Sequence, residues 1–278
     1  MRNLIVASAF LIASTTLAEI KLPRVSPRAT ISQEIGIAKV VVAYHRPAVK
    51  GRMVWGDLVP LGKVWRLGAN DATTIEISHD SKINGVSVPA GKYALFAIPN
   101  KDEWEMILNK EHQQWGAFFY KMNQDQARFT AKPLKSDFAE WLDINLLPLS
   151  DRSLRADIRW EKVRVPFTIE FDMPALVWKH VNDEVAVAKA EDWQTWHNAA
   201  RHAMNSGERL EEGLAWVDKA MAAKEHFWNY ELKALVLHKL GRTAEAYPLM
   251  EKAKAAAQGK APKEYIEGLD RTLASWKK

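Results

Sequence analysis

Val165-Pro-Phe-Thr-Ile-Glu-Phe171 alternates apolar and polar side chains, and Pro174 follows shortly after it. Phe167, Ile169 and Phe171 fall on one side and Thr168 and Glu170 on the other, the two-residue period of a strand with one face buried and one wet. Beyond Pro174 the period becomes helical, so the chain changes architecture at this point.

Upstream, Lys39–Tyr44, Thr73–Ser78, Lys92–Ile98, Glu103–Leu108, Ala127–Ala131, Glu140–Leu146 and Leu154–Trp160 read as further strands from their β-branched and aromatic content. Asn84-Gly85 and Ala90-Gly91 are tight-turn signals between them. With no helical pattern intervening, the strands pair antiparallel, which predicts a sandwich or barrel, and the clean alternation favours a two-sheet sandwich. The stretch from His112 to Gln126, with Trp115, Phe118, Phe119 and Tyr120, is less regular and reads either as a short helix or as a loop plugging one end.

Downstream, Trp193, Trp196, Ala199, Ala200 and Ala203 share one helical face, and Leu210, Leu214, Val217 and Met221 share another. Leu232, Leu235, Val236 and Leu240 continue the pattern, followed by Ala246, Leu249, Met250 and Ala253. Gly207 and Gly241 mark helix ends, and Asp192 and Thr243 are plausible N-caps. Superposing Trp196–Ala200 on Tyr230–Ala234 brings Gly207 onto Gly241 and, after a one-residue gap, Ala220 onto Ala253, a hairpin period of about 34 that resembles the tetratricopeptide repeat. A generic four-helix bundle is the alternative. A last helix from Lys263 to Trp276 is placed to cap the exposed flank of such a stack. The predicted class is α+β and multidomain: a β-sandwich domain over 24–173, a linker over 174–190, and a helical, tetratricopeptide-like region over 191–278.

The N-terminus carries Arg2, an apolar run from Leu4 to Ala13, and small residues before Glu19. This is the layout of a signal peptide over 1–18, and the run is shorter than the roughly 18–20 apolar residues of a membrane anchor. The mature chain is thus expected to be periplasmic or secreted, with no transmembrane segment once the signal is removed. Cysteine is absent, which removes disulfides, thiolate catalysis, cysteine zinc sites and lipid attachment through an N-terminal cysteine. At 278 residues and 47% hydrophobic composition the chain is large enough for one or two ordinary cores. Its formal net charge of +5 is spread along the chain and gives no support to nucleic-acid binding.

The segment from Tyr44 to Ile75 concentrates Arg46, Lys50, Arg52, Lys63 and Arg66 against Asp57 alone before Asp71. Guanidinium forks beside proline, glycine and tryptophan suit carboxylate, sulfate or phosphate groups, and tryptophan stacks on arginine or on a sugar. The candidate ligand-binding residues are therefore Tyr44, His45, Arg46, Lys50, Arg52, Trp65, Arg66, Asn70 and Thr73. The competing reading is that Arg46, Arg52 and Arg66 brace the loop by bonding its own carbonyls and buried acids. Trp55 and Trp65 lie on this loop and are the tryptophans to consider for a site, whereas Trp141 and Trp160 sit on strands, where a core role is the default.

No catalytic residues, metal site or cofactor are predicted. His197 and His202 are five apart, whereas a helical zinc pair wants three or four. A nucleophile elbow and a glycine-rich phosphate loop are both missing, and the strand-edge carboxylates look solvated.

The chain resembles a family of exported bacterial proteins known as a domain of unknown function, numbered 2911. The resemblance rests on Ser26-Pro27-Arg28-Ala29, Tyr44-His-Arg-Pro47, Lys50-Gly-Arg52, Leu58-Val-Pro-Leu-Gly62 and Val64-Trp-Arg-Leu-Gly-Ala-Asn70, then Asn84-Gly85, Pro89–Tyr93, Ile98-Pro99 and Trp160-Glu161. Asp71-Ala-Thr73 stands where the family often shows Glu-Ala-Thr, and Leu61 where an aromatic is common. The resemblance implies a signal peptide, a β domain and a helical tail, and it implies no activity. The reading it leaves is an exported, non-catalytic binding or scaffold protein. Its β domain holds an anionic small molecule or glycan, and its helical tail binds a protein or peptide. The alternative is a hydrolase or isomerase acting on an envelope carbohydrate or ester, with His45 or a strand-edge carboxylate as base and arginine as electrostatic stabiliser; no acid, base and nucleophile assemble from adjacent motifs to favour it.

Overall fold

A computed structural model describes residues 22–277, so the segment read as a signal peptide over 1–18 lies outside the described residues. The chain divides at Phe171/Asp172 into two compact units. Antiparallel sheets make the first and six helices among the described residues make the second, an α+β architecture.

The strands of the β unit are β1 (Arg28–Ile35), β2 (Ala38–His45), β3 (Thr74–Ile77), β4 (Ser81–Ile83), β5 (Val86–Val88), β6 (Gly91–Ile98), β7 (Trp104–Asn109), β8 (Asp125–Ala131), β9 (Leu134–Pro148) and β10 (Ser153–Glu170). They form a six-stranded sheet ordered β1-β2-β3-β6-β7-β8 and a four-stranded sheet ordered β5-β4-β10-β9. Asn84-Gly85 joins β4 to β5, with Asn84 and Gly85 both at positive φ, 44° and 84°, as a two-residue hairpin turn requires. The stretches 154–160 and 165–171 belong to one long strand rather than two. Its pleat changes hand in the middle: Leu154, Ala156, Ile158 and Trp160 are buried in the first half, and Val165, Phe167 and Ile169 in the second. The switch falls at the register shifts around Glu161, whose φ is 54°, the kind of bulge that re-aims every later side chain.

Strand β6 is buried on both faces because loops cover its outer side. Ala94 and Phe96 with Ile107 of β7 pack against Ala72, Val64, Ala117 and Tyr120. The irregular stretch after β7 is a loop leading into a single 3-10 turn at Met122–Gln124. Of its aromatic residues Trp115, Phe118 and Phe119 are exposed, and Tyr120 reaches inward, edge-on to Phe96 at 5.4 Å. Four tryptophans form one cluster. Trp104 of β7 and Trp160 of β10, one from each sheet, meet Trp55 and Trp65 from the loop between β2 and β3, with ring centroids 5.1–6.1 Å apart.

The helices are α1 (Met173–Val187), α2 (Trp193–Ser206), α3 (Leu210–Ala223), α4 (Phe227–Lys239), α5 (Thr243–Ala257) and α6 (Lys263–Ser275). Helix α1 occupies most of the stretch read as a linker over 174–190. Asp172 caps it by accepting from the Ala175 amide at 3.3 Å, and Pro174 sits in its first turn, both favourable helix starts. Gly207 ends α2 in the left-handed conformation at φ 75°. Asp192 stands at the N-cap of α2, whereas Thr243 is already inside α5 and Arg242 occupies the cap. One core joins Trp196, Ala200 and Ala203 of α2 to Trp216, Val217 and Ala220 of α3 and to Leu232 and Val236 of α4. A second joins Tyr230, Ala234 and Leu237 of α4 to Ala246, Met250 and Ala253 of α5 and to Leu269 and Leu273 of α6. Small residues at the crossings let the helices approach closely: a methyl group on Gly213 of α3 would lie 2.8 Å from the Ala203 Cβ of α2. Among the described residues no helix is long and apolar enough to cross a membrane.

Candidate functional site

The basic loop between β2 and β3 begins by leaving its own sheet and joining the other. The Leu142 amide donates to the Pro47 carbonyl at 2.9 Å and the Val49 amide to the Glu140 carbonyl at 2.8 Å, so the segment 47–49 lies along the outer edge of β9. Tyr44 and Arg46 fasten this crossing. The Tyr44 hydroxyl accepts from the Ile144 amide at 3.0 Å and donates to Asp143 Oδ1 at 3.2 Å. Arg46 donates from Nε to the Leu142 carbonyl at 2.9 Å and pairs through Nη2 with Asp143 at 3.1 Å. Arg52 turns back on its own loop, donating to the Val49 carbonyl at 3.0 Å and the Ala48 carbonyl at 2.6 Å. The guanidinium groups of Arg46 and Arg52 are thus bonded to the protein itself.

The second half of the loop is a tight knot of backbone. Leu67 and Asn70 both have positive φ, 58° and 56°, and Leu67 is fully buried; holding a leucine there costs on the order of 1–2 kcal/mol. Thr73 secures the turn, donating from Oγ1 to the Leu67 carbonyl at 2.7 Å and from its amide to the Arg66 carbonyl at 3.2 Å. Asn70 donates from Nδ2 to the Ser26 carbonyl at 3.3 Å. Gly68 is needed because a Cβ there would sit 2.9 Å from the His45 carbonyl oxygen. Trp65 is buried in the tryptophan cluster, stacked on Trp160 at 5.9 Å. It is packing rather than an exposed platform, because its backbone bridges to Ala97 of β6 through bonds of 2.7 and 2.9 Å that carry the ring inward. Trp141, read as core, is instead half-exposed at the edge of β9, where it bridges to Ala48.

Arg66 differs from the other two arginines. Its Nε is buried and has no hydrogen-bond partner among the described residues. Burial lowers its pKa from the ordinary arginine value, which leaves it protonated at any physiological pH. Arg66 lines a cavity of about 260 Å³ together with Lys50, Arg52, Trp65, Ser26 and Trp160. His45 and Tyr44 face a different cleft of about 440 Å³, shared with Arg28, Asp71, Lys92 and Gln114. Six of the nine residues singled out in the sequence therefore divide between two hollows, while Arg46, Asn70 and Thr73 line neither.

In the second cleft His45 Nε2 lies 3.9 Å from Asp71 Oδ2, and Arg24 Nη1 reaches the same oxygen at 3.3 Å. Gln114 is buried and its Oε1 has no partner among the described residues. Asp71, Arg24 and Gln114 were not among the residues singled out. Asp71 carried a signal, since it stands where the resembled family often has glutamate; Gln114 carried none, because its approach depends on the Ala72 amide bonding the Gln114 carbonyl at 3.1 Å.

Burial pushes the His45 pKa below its ordinary value of about 6.5, against the upward pull of Asp71 and with help from Arg24, Arg28 and Arg66. His197, His202 and His226 of the helical unit are pushed the same way, first by burial. A histidine with a depressed folded pKa binds fewer protons folded than unfolded. Its stabilising effect is complete above the unfolded value and is lost as pH falls through it toward the folded one. Both units are therefore expected to melt at lower temperature at pH 5.5 than at pH 7.5, as followed by calorimetry. A melting temperature that rises on acidification contradicts the assignment.

Among the described residues no group of three or more histidine, aspartate or glutamate side chains is placed to hold a metal ion. Residues 26–169 match the family model described as Protein of unknown function (DUF2911), which is just over half of the chain. No curated protein matches it.

Proposed function

Since the chain belongs to the DUF2911 family, whose description assigns no activity, we propose from its own geometry that it is an exported, non-catalytic binding or scaffold protein. In this reading the β unit is a sandwich that holds an anionic or glycan ligand beside Arg66, and the helical unit takes a protein or peptide. The helical unit is read as two tetratricopeptide-type hairpins, α2–α3 and α4–α5, closed by α6. Ala200 and Ala234, one repeat apart, are both fully buried, which supports that period. The apolar N-terminal run supports passage to a periplasmic or extracellular location.

One observation carries the ligand assignment: in a loop whose other two bracing arginines are bonded to carbonyls, Arg66 keeps a buried Nε without a partner at the wall of a cavity. An unpaired buried donor of this kind costs about 1–3 kcal/mol, and a carboxylate, sulfate or phosphate oxygen would recover it. Thermal shift and calorimetry against cell-wall fragments, sulfated glycans and phosphosugars test the reading. At least one probe is expected to stabilise the wild-type protein, with the shift lost in Arg66→Ala. Silence across the panel, or an undiminished shift in the variant, rejects the site.

The His45–Asp71 pair supports a second reading, a hydrolase or isomerase of envelope carbohydrates or esters. An imidazole kept neutral by burial is competent to accept a proton. Turnover of an ester or glycan panel that disappears in His45→Ala is what this reading requires.

A further inference from the structure

A further hollow on the β unit lies on the outer face of the β9–β10 hairpin. It measures about 860 Å³ and is lined by Lys135 and Asp137 of β9 and by Arg155, Asp157, Arg159 and Arg164 of β10, with Asn145 nearby. The bulge at Glu161 builds it. Before the bulge the odd-numbered residues of β10 face outward, which places Arg155 and Arg159; after it the even-numbered ones do, which places Arg164 on the same face. An unbroken strand would have turned Arg164 into the core.

The charges in this hollow are unequal. Asp157, itself buried, is committed to Arg155 through two donors at 3.0–3.1 Å and stands only within 3.9 Å of Arg164. Arg159 has Asp143 as its cross-strand neighbour, yet Asp143 pairs with Arg46 at 3.1 Å and accepts from Asn145 at 2.5 Å. The Nε atoms of both Arg159 and Arg164 are buried without hydrogen-bond partners among the described residues. Two guanidinium groups therefore share one cleft with Lys135 and Asp137, and neither has a carboxylate committed to it alone. Leaving them so is costly, and an external oxyanion spanning both would satisfy them by paired, charge-assisted bonds.

We propose that the outer face of the β9–β10 hairpin is a second anion site, one that takes phosphate oxygens across Arg159 and Arg164. The ligand's source, a soluble diphosphate or the headgroup of an anionic lipid, is separated by the probes. The full chain is titrated calorimetrically with inorganic pyrophosphate at low and at raised salt, and is co-sedimented with phosphatidylglycerol vesicles beside phosphatidylcholine controls. Binding to pyrophosphate, to phosphatidylglycerol or to both is expected, weakening as salt rises. The double substitution Arg159→Gln with Arg164→Gln is expected to weaken it about tenfold or more, as the loss of one charge-assisted contact or two would. The titrations are repeated in an Arg66→Ala background, where any phosphate held beside Arg66 is removed and the effect of the double substitution is expected to persist, so this site stands or falls apart from the one beside Arg66. If the double glutamine variant does not fold, Arg159→Lys with Arg164→Lys keeps the charge and loses the forks, and is expected to bind several-fold more weakly than wild type. No binding of either probe at low salt overturns the proposal, as does full affinity in a folded double variant.

Discussion

Trp160→Ala is expected to lower the stability of the β unit by about 3–5 kcal/mol, the range for deleting a fully buried tryptophan. Trp160 is 2% exposed and touches three features at once. It stacks on Trp65 with ring planes 16° apart, meets Trp55 edge-on at 5.9 Å, and donates from Nε1 to the Glu140 carbonyl at 3.3 Å. Alanine would leave a cavity between rings too rigid to collapse into it, and would take the longer of two donors from the Glu140 carbonyl, which keeps the Val49 amide at 2.8 Å. Because small domains are stable by only about 5–15 kcal/mol, this single change removes a large part of the total. Trp160→Phe keeps most of the apolar surface and loses the donor, so a smaller loss of about 1–2 kcal/mol is expected. Urea denaturation followed by the remaining tryptophans reads both values. A loss below 1 kcal/mol in the alanine variant would mean that the cluster does not join the sheets energetically.

Asn229→Ala is expected to cost the helical unit about 2–4 kcal/mol, from the buried His197 ring and the Lys224 carbonyl left without their partner. Asn229 has no exposed surface. Its Nδ2 donates to the Ala220 carbonyl at 3.3 Å, which also accepts from the Lys224 amide, and to the Lys224 carbonyl at 2.9 Å, just past the end of α3, where carbonyls lack intrahelical partners. Its Oδ1 lies 2.6 Å from His197 Nδ1. Arg201 donates to the other ring nitrogen of His197 at 2.8 Å. An arginine has nothing to accept with, so His197 is neutral and carries its proton on Nδ1, in agreement with the lowering of its pKa by burial. Asn229→Asp keeps the acceptor, loses the donor, and sets a carboxylate beside the ring. The His197 pKa is then expected to rise, measurable by NMR titration of the imidazole, and an unchanged or lowered value would refute the network.

The elements legible in the sequence were those whose cause is local. The alternation of Phe167, Ile169 and Phe171 and the Asn84-Gly85 turn depend only on neighbours, and both are found where the residues put them. Strands β4 and β5, three residues each, are too short to display a period, and only the turn between them could be seen. Helix α1 escaped because its apolar stripe is sparse: Trp178, Val181 and Val185 pack half-buried against the first helical core, and none of its residues is fully buried. The candidate site was legible as a location and not as a set of roles. Which arginine is a brace depends on carbonyls contributed from far along the chain, as with Arg46 and Leu142, 96 residues apart. The cleft on β10 was hidden for a related reason: a strict two-residue period places Arg164 inward, and only the left-handed Glu161 turns it out.

The crossing of the signature loop onto β9 has a consequence for how the protein behaves in a crowded compartment. Strand β9 is the last strand of its sheet, and such a margin, with its open row of amides and carbonyls, invites pairing with strands of other molecules. Pro47 and Val49 take up the Leu142 amide and the Glu140 carbonyl of that row. Pro47 itself has no amide to offer a newcomer. The loop thus serves as a selvedge, closing the raw border of the smaller sheet so that neighbouring copies cannot be stitched onto it there.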